Sequence, residues 1–178
     1  APDYETPGDQ SFDLIVTASD GVNSTDQAVT VSVTDVNEAP VFTSGSTASV
    51  AENQTAAYTA AASDPDLTSP TYSISGGADA ALFNIDATTG VVTFKTAPDF
   101  ENPADAGGDN VYDIIVRASD GTNNVDQAVA ISVTDVNDNS PVFTSGTTAS
   151  VVEGTLIAYD ADATDADVSD TIAYSLSG

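Results

Sequence analysis

The sequence predicts an all-β protein built from tandem seven-stranded β-sandwich repeats. Three observations carry that expectation. The chain is self-similar with a period of about 100 residues, its apolar residues fall in strand-length runs of period two, and no segment has a helical period.

The repeat is dense. Residues 12–20 read FDLIVTASD and residues 112–120 read YDIIVRASD. Asp20 corresponds to Asp120 and Asp35 to Asp135, an offset of 100. One inserted residue (Glu38-Ala39-Pro40 against Asp138-Asn139-Ser140-Pro141) then raises the offset to 101, so that Phe42 corresponds to Phe143, Glu52 to Glu153 and Asp64 to Asp165. A period of this length suits one sandwich per repeat.

Within one period an opening strand is expected between Val41 and Val50. Further strands are expected over residues 55–62, 71–75, 82–85, 91–95, 111–119 and 127–134. In the run at 111–119, Tyr112, Ile114, Val116 and Ala118 take the core face while Asp113, Arg117 and Ser119 point outward. Val129, Ile131 and Val133 give the next strand its core face. Asp86-Ala87-Thr88-Thr89-Gly90 lies between two such runs and reads as a hairpin turn.

Cut at this period, the chain has three parts: residues 1–39 are the C-terminal half of one repeat, 40–140 a complete repeat, and 141–178 the N-terminal half of a further one. A half-sandwich exposes sheet edges and half a core. The terminal halves are therefore expected to pair with each other, with neighbouring molecules or with further chain. Joined head to tail they lack only the counterpart of residues 78–96, which keeps a domain-swapped or polymeric assembly open beside a longer parent chain.

Composition narrows the partners. There are 28 acidic side chains and two basic ones, Lys95 and Arg117, for a net charge of −26. Nucleic acid and anionic membrane surfaces would repel such a chain, so the expected partner is a cation. Leu, Ile, Val and Phe make up about 22% of the residues, close to the level of disordered chains, and it is the period-two patterning that predicts folding. Without cysteine no disulfide framework can be read. No apolar run is long enough for a membrane-spanning helix. Ala1 opens onto Pro2-Asp3-Tyr4-Glu5 with no signal-peptide pattern, so the chain reads as an interior slice of something longer.

The acidic residues cluster where strands end. The run 135–141, Asp-Val-Asn-Asp-Asn-Ser-Pro, follows a strand and precedes the next repeat, so it reads as a linker, with Pro141 blocking strand continuation. Asp64-Pro65-Asp66 and Asp165-Ala166-Asp167 fall at strand ends, Asp3-Tyr4-Glu5 and Asp99-Phe100-Glu101 in loops before strands, and Glu52 just after the opening strand. Loops alternate between the two ends of a sandwich, so these groups can collect at the junctions between repeats. Each like-charged pair at ~4–8 Å costs on the order of 1 kcal/mol or more. No Lys or Arg is placed to relieve it. Ca²⁺ can, because it takes six to eight oxygens in flexible geometry, whereas Mg²⁺ demands octahedral geometry. Transition metals are disfavoured by the lack of His and Cys.

These motifs resemble cadherin repeats, in the cadherin-like version found in bacterial surface adhesins. The features that match are the linker from Asp135 to Phe143, the paired Asp165 and Asp167, the paired Asp99 and Glu101, and Glu52 within Ala51-Glu52-Asn53. The hairpin from Phe83 to Gly90 and the Ala-x-Asp ending at Asp120 add to the likeness. The resemblance implies an immunoglobulin-like, Greek-key sandwich, extracellular and at the cell surface, with Ca²⁺ at the junctions. At the second junction the implied ligands are Glu52, Asp99, Glu101, Asn137, Asp138, Asp165 and Asp167, with the carbonyls of Val136 and Asn139. At the first they are Asp3, Glu5, Asn37, Glu38, Asp64, Asp66 and Asp120, with the carbonyls of Val36 and Ala39. There Glu38 replaces the usual Asp and Ala39 the usual Asn. Asp20 and Glu153 would serve junctions outside this chain.

Other readings fit the sequence less well. Asp113, Asp126 and Asp170 are assigned to solvated faces, Asp9 and Asp109 to loops. Catalysis is not expected: carboxylates two apart beside several others are poorly suited to holding one proton, and there is no His, no Cys and no G-x-S-x-G. A carbohydrate-binding module usually presents aromatic platforms, yet the chain has no Trp and its tyrosines are expected largely in core-facing positions. Within the calcium-binding reading the repeats are either spacers in a rod or modules that bind like repeats and build a filament or biofilm mesh. Asn23-Ser24-Thr25 and Asn53-Gln54-Thr55 fit the pattern of a glycosylation acceptor.

Overall fold

The computed structural model describes residues 1–157, 159–168 and 170–177. Their strands, in chain order, are β1 (Ser11–Ser19), β2 (Ser24–Ser32), β3 (Val41–Phe42), β4 (Thr47–Ala51), β5 (Ala56–Thr59), β6 (Ala62–Ser63), β7 (Thr71–Gly76), β8 (Phe83–Ile85), β9 (Val91–Phe94), β10 (Val111–Ser119), β11 (Asn124–Thr134), β12 (Val142–Phe143) and β13 (Ala163–Thr164). The one helical element among them is a 3-10 turn at Ala80–Leu82. No helix among the described residues is long and apolar enough to cross a membrane.

Residues 41–134 form a sandwich. One sheet runs β4-β11-β10-β7, with β4 parallel to β11 and the other pairs antiparallel. The second runs β5-β9-β8, and β3 pairs with β6 beside it. The alternation in the sequence sets which side chains meet between the sheets. Tyr112, Ile114, Val116 and Ala118 of β10 and Val129, Ile131 and Val133 of β11 are all buried, packed with Phe83, Val92 and Phe94 of the facing sheet. Tyr112 sets its ring edge-on to Phe94 at 5.1 Å and to Phe83 at 6.0 Å, an arrangement that aromatic quadrupoles favour.

Two glycines close the sandwich. Gly90 ends the turn that begins at Asp86, with φ of 70°, and a Cβ there would stand 2.2 Å from the carbonyl oxygen of Ala60. Gly77, at φ of 105°, leaves β7 so close to β10 that a Cβ would stand 2.4 Å from the carbonyl oxygen of Asp113. Only glycine fits both the space and the backbone conformation.

The structure refines three of the expected elements. The opening strand is split: β3 pairs with β6, the chain crosses over at 44–46, and β4 then joins the opposite sheet. Tyr58 pins the crossover by donating its hydroxyl to Ser44 Oγ at 2.7 Å. The strand expected over 55–62 is likewise split, because Ala61 turns its carbonyl away from β9 and accepts the N–H groups of Thr43 and Ser44. Leu82 closes the 3-10 turn through its N–H to Asp79 O, so β8 begins one residue later than expected.

Outside the sandwich the same local pairings recur without a facing sheet. β1 and β2 keep the register of β10 and β11, pairing Leu14 with Val29 as Ile114 pairs with Val129. Yet Val16 is 55% exposed where its counterpart Val116 is 0%. β12 pairs with β13 as β3 pairs with β6, and Phe143, Tyr159, Tyr174 and Leu176 are exposed around them. Tyr4 is exposed too. Of the tyrosines expected in the core, Tyr72 and Tyr112 are buried and Tyr58 is half-buried. The other three, Tyr4, Tyr159 and Tyr174, lie outside the strands and are exposed.

Candidate metal centres

The second junction is built around Glu52. β4 ends at Ala51, and the chain turns sharply at Asn53, whose φ is 63°. This leaves Glu52 only 2% exposed at the end of the sandwich. Its Oε1 accepts the N–H of Val136 in the linker at 2.8 Å, and its Oε2 accepts the N–H of Phe100 at 2.7 Å. Two backbone donors thus hold it beside Glu101 and Asp135, and the three offer carboxylate oxygens within 4.8 Å of one another. Two oxygens that share one calcium ion at about 2.4 Å stand at most about 4.8 Å apart.

Next along the linker, Glu101, Asp138 and Asp167 form a second such group. Asn139 threads through it: its N–H donates to Asp167 Oδ2 at 3.1 Å, and its side-chain amide to Asp167 Oδ1 at 2.9 Å, Asp138 Oδ1 at 2.8 Å and Glu101 Oε2 at 3.2 Å. Asn53 donates its amide to Asp138 Oδ2. Asp165, Asp167 and Asp170 make a third group, and the amide of Asn137 donates to Asp170. Asp135 reaches across the linker to accept the N–H of Val168 at 3.1 Å.

The first junction repeats the plan with fewer groups. Glu5, Asp35, Glu38 and Asp66 bring carboxylate oxygens within 4.8 Å. The N–H of Glu38 donates to Asp66 Oδ2 at 2.8 Å, and that of Asp66 to Asp64 Oδ1 at 3.0 Å. Asn37 donates its amide to Asp120 Oδ2 at 2.8 Å, while Asp120 Oδ1 takes the N–H groups of Thr122 and Asn123, both at 2.6 Å.

Charge is left unbalanced at both places. The two basic side chains are engaged elsewhere: Lys95 donates to the carbonyl of Ala81 at 2.6 Å, and Arg117 pairs with Asp126 at 2.8 Å. Asp64 is 7% exposed, and no donor reaches its Oδ2, nor Oδ1 of Asp66, nor Oε1 of Glu101. The titration behaviour agrees. Loss of water raises Glu101 above the usual glutamate range against the pull of its own N–H, with Glu52, Asp135 and Asp167 adding to the rise. Loss of water and the nearby Asp66 and Asp35 raise Glu38. Glu5 is held down by its own N–H, but Asp3, loss of water, Glu38 and Asp35 outweigh this and push it up to about 7. Asp120 moves the other way, lowered by the N–H of Asn123, the amide of Asn37 and the N–H of Thr122.

Of the expected ligands, Glu5, Glu38 and Asp66 meet at the first junction, and Glu52, Glu101, Asp138, Asp165 and Asp167 at the second. Asn37, Asn137 and Asn139 contact carboxylates there. Asp64 and Asp120 lie outside the close groups but are tied to their members or to the linker. Asp3 and Asp99 turn back on their own loops, accepting the N–H groups of Glu5 and Asn102. Asp20 does likewise with Val22 and Asn23, and Glu153 is exposed.

Three members were missed. Asp35 and Asp135 open the two linkers, and their equivalence under the repeat was the signal available. Asp170, assigned to a solvated face, is exposed but stands with Asp165 and Asp167. Its counterpart under the offset of 101 is Ser69, so the repeat gave no hint of it.

Comparison with known proteins fits this architecture. The cadherin domain family matches residues 46–136. Cadherin EGF LAG seven-pass G-type receptor 2 of Homo sapiens is 34% identical over 192 aligned residues, covering 95% of this chain and 6% of that protein. Cadherin-7 of Gallus gallus is 40% identical over 125, covering 65% of this chain and 15% of that protein. The chain thus spans a small part of the length of these relatives. The solved structure of the protocadherin gammaB7 EC3-6 cis-dimer superposes with a TM-score of 0.69 at 25% identity, covering 93% of this chain and 44% of that one. By its sandwich, its register and its match over residues 46–136, the chain belongs to the cadherin domain family.

Proposed function

We propose that this chain is a stretch of an extracellular adhesive or structural array in which calcium ions at the two junctions stiffen successive sandwiches into a rod. Residues 1–39, 40–140 and 141–178 are read as parts of three consecutive repeats. The observation that carries the reading is the pair of acceptor-only oxygens Asp66 Oδ1 and Glu101 Oε1, left without donors inside carboxylate groups spaced for a shared ion, with donor-less Asp64 Oδ2 on the residue that takes the N–H of Asp66. Buried carboxylate oxygens without partners are costly, and a hard cation supplies what no side chain here does.

At the second junction Glu52, Glu101, Asp135, Asp138, Asp165 and Asp167 would hold the ions, with Asp170 at the rim. At the first, Glu5, Asp35, Glu38, Asp64 and Asp66 would do so. The bound ion supplies charge neutralisation. The protein's part is to bring loops from two repeats onto one linker, as Glu52 and Val136 already do. Without the cation, carboxylate repulsion loosens the packing of successive repeats about their short linkers. Extracellular modules of this kind bind calcium at about 10⁻⁴–10⁻³ M, so they fill outside cells. The resemblance of its motifs to bacterial surface adhesins supports a spacer role at a cell surface within the same proposal. No step here requires catalysis.

The test is thermal unfolding with small-angle scattering, in millimolar calcium and in chelator. Calcium is expected to raise the melting temperature and lengthen the particle. A melting curve unmoved by chelator overturns the reading.

The exposed apolar faces favour a second reading, in which the halves at 11–32 and 142–177 complete each other between molecules and build a filament. Leu14, Val16 and Phe143 are exposed where their counterparts Ile114, Val116 and Phe42 belong to the core or pack against it. Sedimentation with and without calcium separates the two readings: a monomer at all concentrations removes the filament. Glycan binding would need an exposed aromatic platform on the complete sandwich, where Tyr72 and Tyr112 are buried, and a sugar array tests it.

A further inference from the structure

The hairpin between β10 and β11 reaches back to the linker that precedes its own sandwich. The amide of Asn123 stands 3.2 Å from the carbonyl oxygen of Asn37 and 3.2 Å from that of Glu38. In return, the amide of Asn37 donates to Asp120 Oδ2 at 2.8 Å. We propose that Asn123 is a positioning residue that latches the first linker to the following repeat through a reciprocal amide clasp, independently of any cation. The proposal rests on reading residues 35–40 as the joint between two repeats and not on occupancy of the metal centres.

The chemistry of the clasp differs from that of the carboxylate groups around it. Every donor is a neutral amide or a backbone N–H, and the acceptors are two backbone carbonyls and one carboxylate. The carbonyls that Asn123 contacts, those of Asn37 and Glu38, are not among the acidic oxygens of the first junction. The contacts of Asn123 therefore take no carboxylate oxygen away from a bound ion, whereas Asp120 Oδ2, which accepts the amide of Asn37, belongs to a residue among the ligands the resemblance implies. The clasp does not repel itself when the ion is absent.

The hairpin itself is pre-built to present this side chain. Ser119 Oγ donates to the carbonyl of Asn123 at 3.1 Å and accepts the N–H of Gly121 at 3.2 Å, while Asp120 Oδ1 holds the N–H groups of Thr122 and Asn123. These contacts use the backbone of Asn123 and leave its amide free to reach the linker. The hairpin at 19–23 has the same arrangement: Ser19 Oγ donates to Asn23 O at 3.0 Å, and Asp20 Oδ1 accepts the N–H groups of Val22 and Asn23. The repeated pattern Ser-Asp-Gly-x-Asn is thus a module with one chemical output, an asparagine amide at the end of the sandwich.

The experiment measures order across the joint in the whole chain. Ala28 and Ala128 are exposed on equivalent strands and the chain has no cysteine, so Ala28→Cys with Ala128→Cys takes a single pair of spin labels. Pulsed distance measurements are made in chelator and in calcium, for the parent and for Asn123→Ala, Asn123→Asp and Asn23→Ala. In chelator the parent is expected to keep a narrow component that Asn123→Ala broadens at least twofold and Asn123→Asp abolishes, since an anion replaces the donor facing two carbonyls. Asn23→Ala, with the same local hairpin chemistry, is expected to leave the distribution unchanged. Amide spectra of 111–134 check that the hairpin stays folded in each variant. An Asn123→Ala distribution identical to the parent's in chelator overturns the clasp, as does a chelator distribution already fully broad in the parent. A parent distribution that calcium does not sharpen would instead count against the metal reading, so the two failures are distinguishable.

Discussion

Glu52 and Val136, 84 residues apart in sequence, are joined by a 2.8 Å hydrogen bond from the linker N–H to the glutamate Oε1. The bond fixes where the linker leaves the sandwich, and it does so with a side chain that also lies within reach of Glu101 and Asp135. In the proposed reading, folding and ion binding therefore share this residue.

That sharing predicts a split between two glutamates. Glu52→Gln keeps one acceptor oxygen and strands either Val136 or Phe100 N–H in a buried place, at a cost of about 1–3 kcal/mol. The melting temperature is expected to fall in chelator as well as in calcium. Glu101→Gln, whose Oε1 has no donor, is expected to weaken calcium binding tenfold or more while leaving the chelator melting curve unchanged or slightly raised. Calorimetric titration and thermal unfolding of both variants check the split. Equal behaviour of the two would refute it.

Acidity gives a second prediction. Glu5, Glu38 and Glu101 have folded pKa values raised above the ordinary glutamate value, Glu5 to about 7. A raised carboxyl binds its proton more tightly in the folded state, so its contribution favours folding below the unfolded value and is lost as pH rises through the folded one. In chelator the chain is expected to become more stable as pH falls from about 7 toward 4.5. In calcium the order reverses, because protons compete for the same oxygens, and apparent affinity is expected to drop over that window. Melting temperatures against pH in the two buffers check both signs.

The repeat supplies its own control for packing. Val16 and Val116 occupy equivalent positions in β1 and β10, one 55% exposed and the other 0%. Val116→Ala is expected to cost about 2 kcal/mol from lost burial and the cavity left behind, and Val16→Ala close to nothing in an isolated monomer. If Val16→Ala destabilises comparably, the β1–β2 face is covered in solution, and the filament reading gains. Denaturant unfolding at two protein concentrations decides.

Much of the fold was legible. The register of β10 and β11 follows from strict alternation around Tyr112 to Ala118, and β10 has the expected bounds. The repeat marked the runs 35–40 and 135–141, beside which the carboxylate groups gather. Less legible was the split of the opening strand, because the crossover at 44–46 depends on Tyr58 reaching Ser44 from a distant strand. Asp170 was equally hidden. Nothing local separates an aspartate in a solvated turn from one held beside Asn137 by the fold of the next repeat. Asp35 and Asp135 illustrate a different limit: their position under the repeat was plain, but their approach to Glu5 and Glu101 depends on how the loop before each strand pair folds back on the chain that leaves it.

Glycine geometry offers a further check on the sandwich itself. Gly77→Ala would place a methyl against the β10 backbone at a positive φ, and a loss of about 3 kcal/mol is expected from strain alone. Gly108→Ala, also at positive φ but with open space around it, is expected to cost less. Urea midpoints rank the two, and the reverse order would contradict the close approach of β7 to β10.

The most direct measurement is a high-resolution diffraction map from crystals grown in abundant calcium. The account predicts a strong peak between Glu101, Asp138 and Asp167, ringed by six to eight oxygens at about 2.3–2.6 Å. Water at hydrogen-bonding distances in that place, with the three carboxylates turned apart, would contradict it.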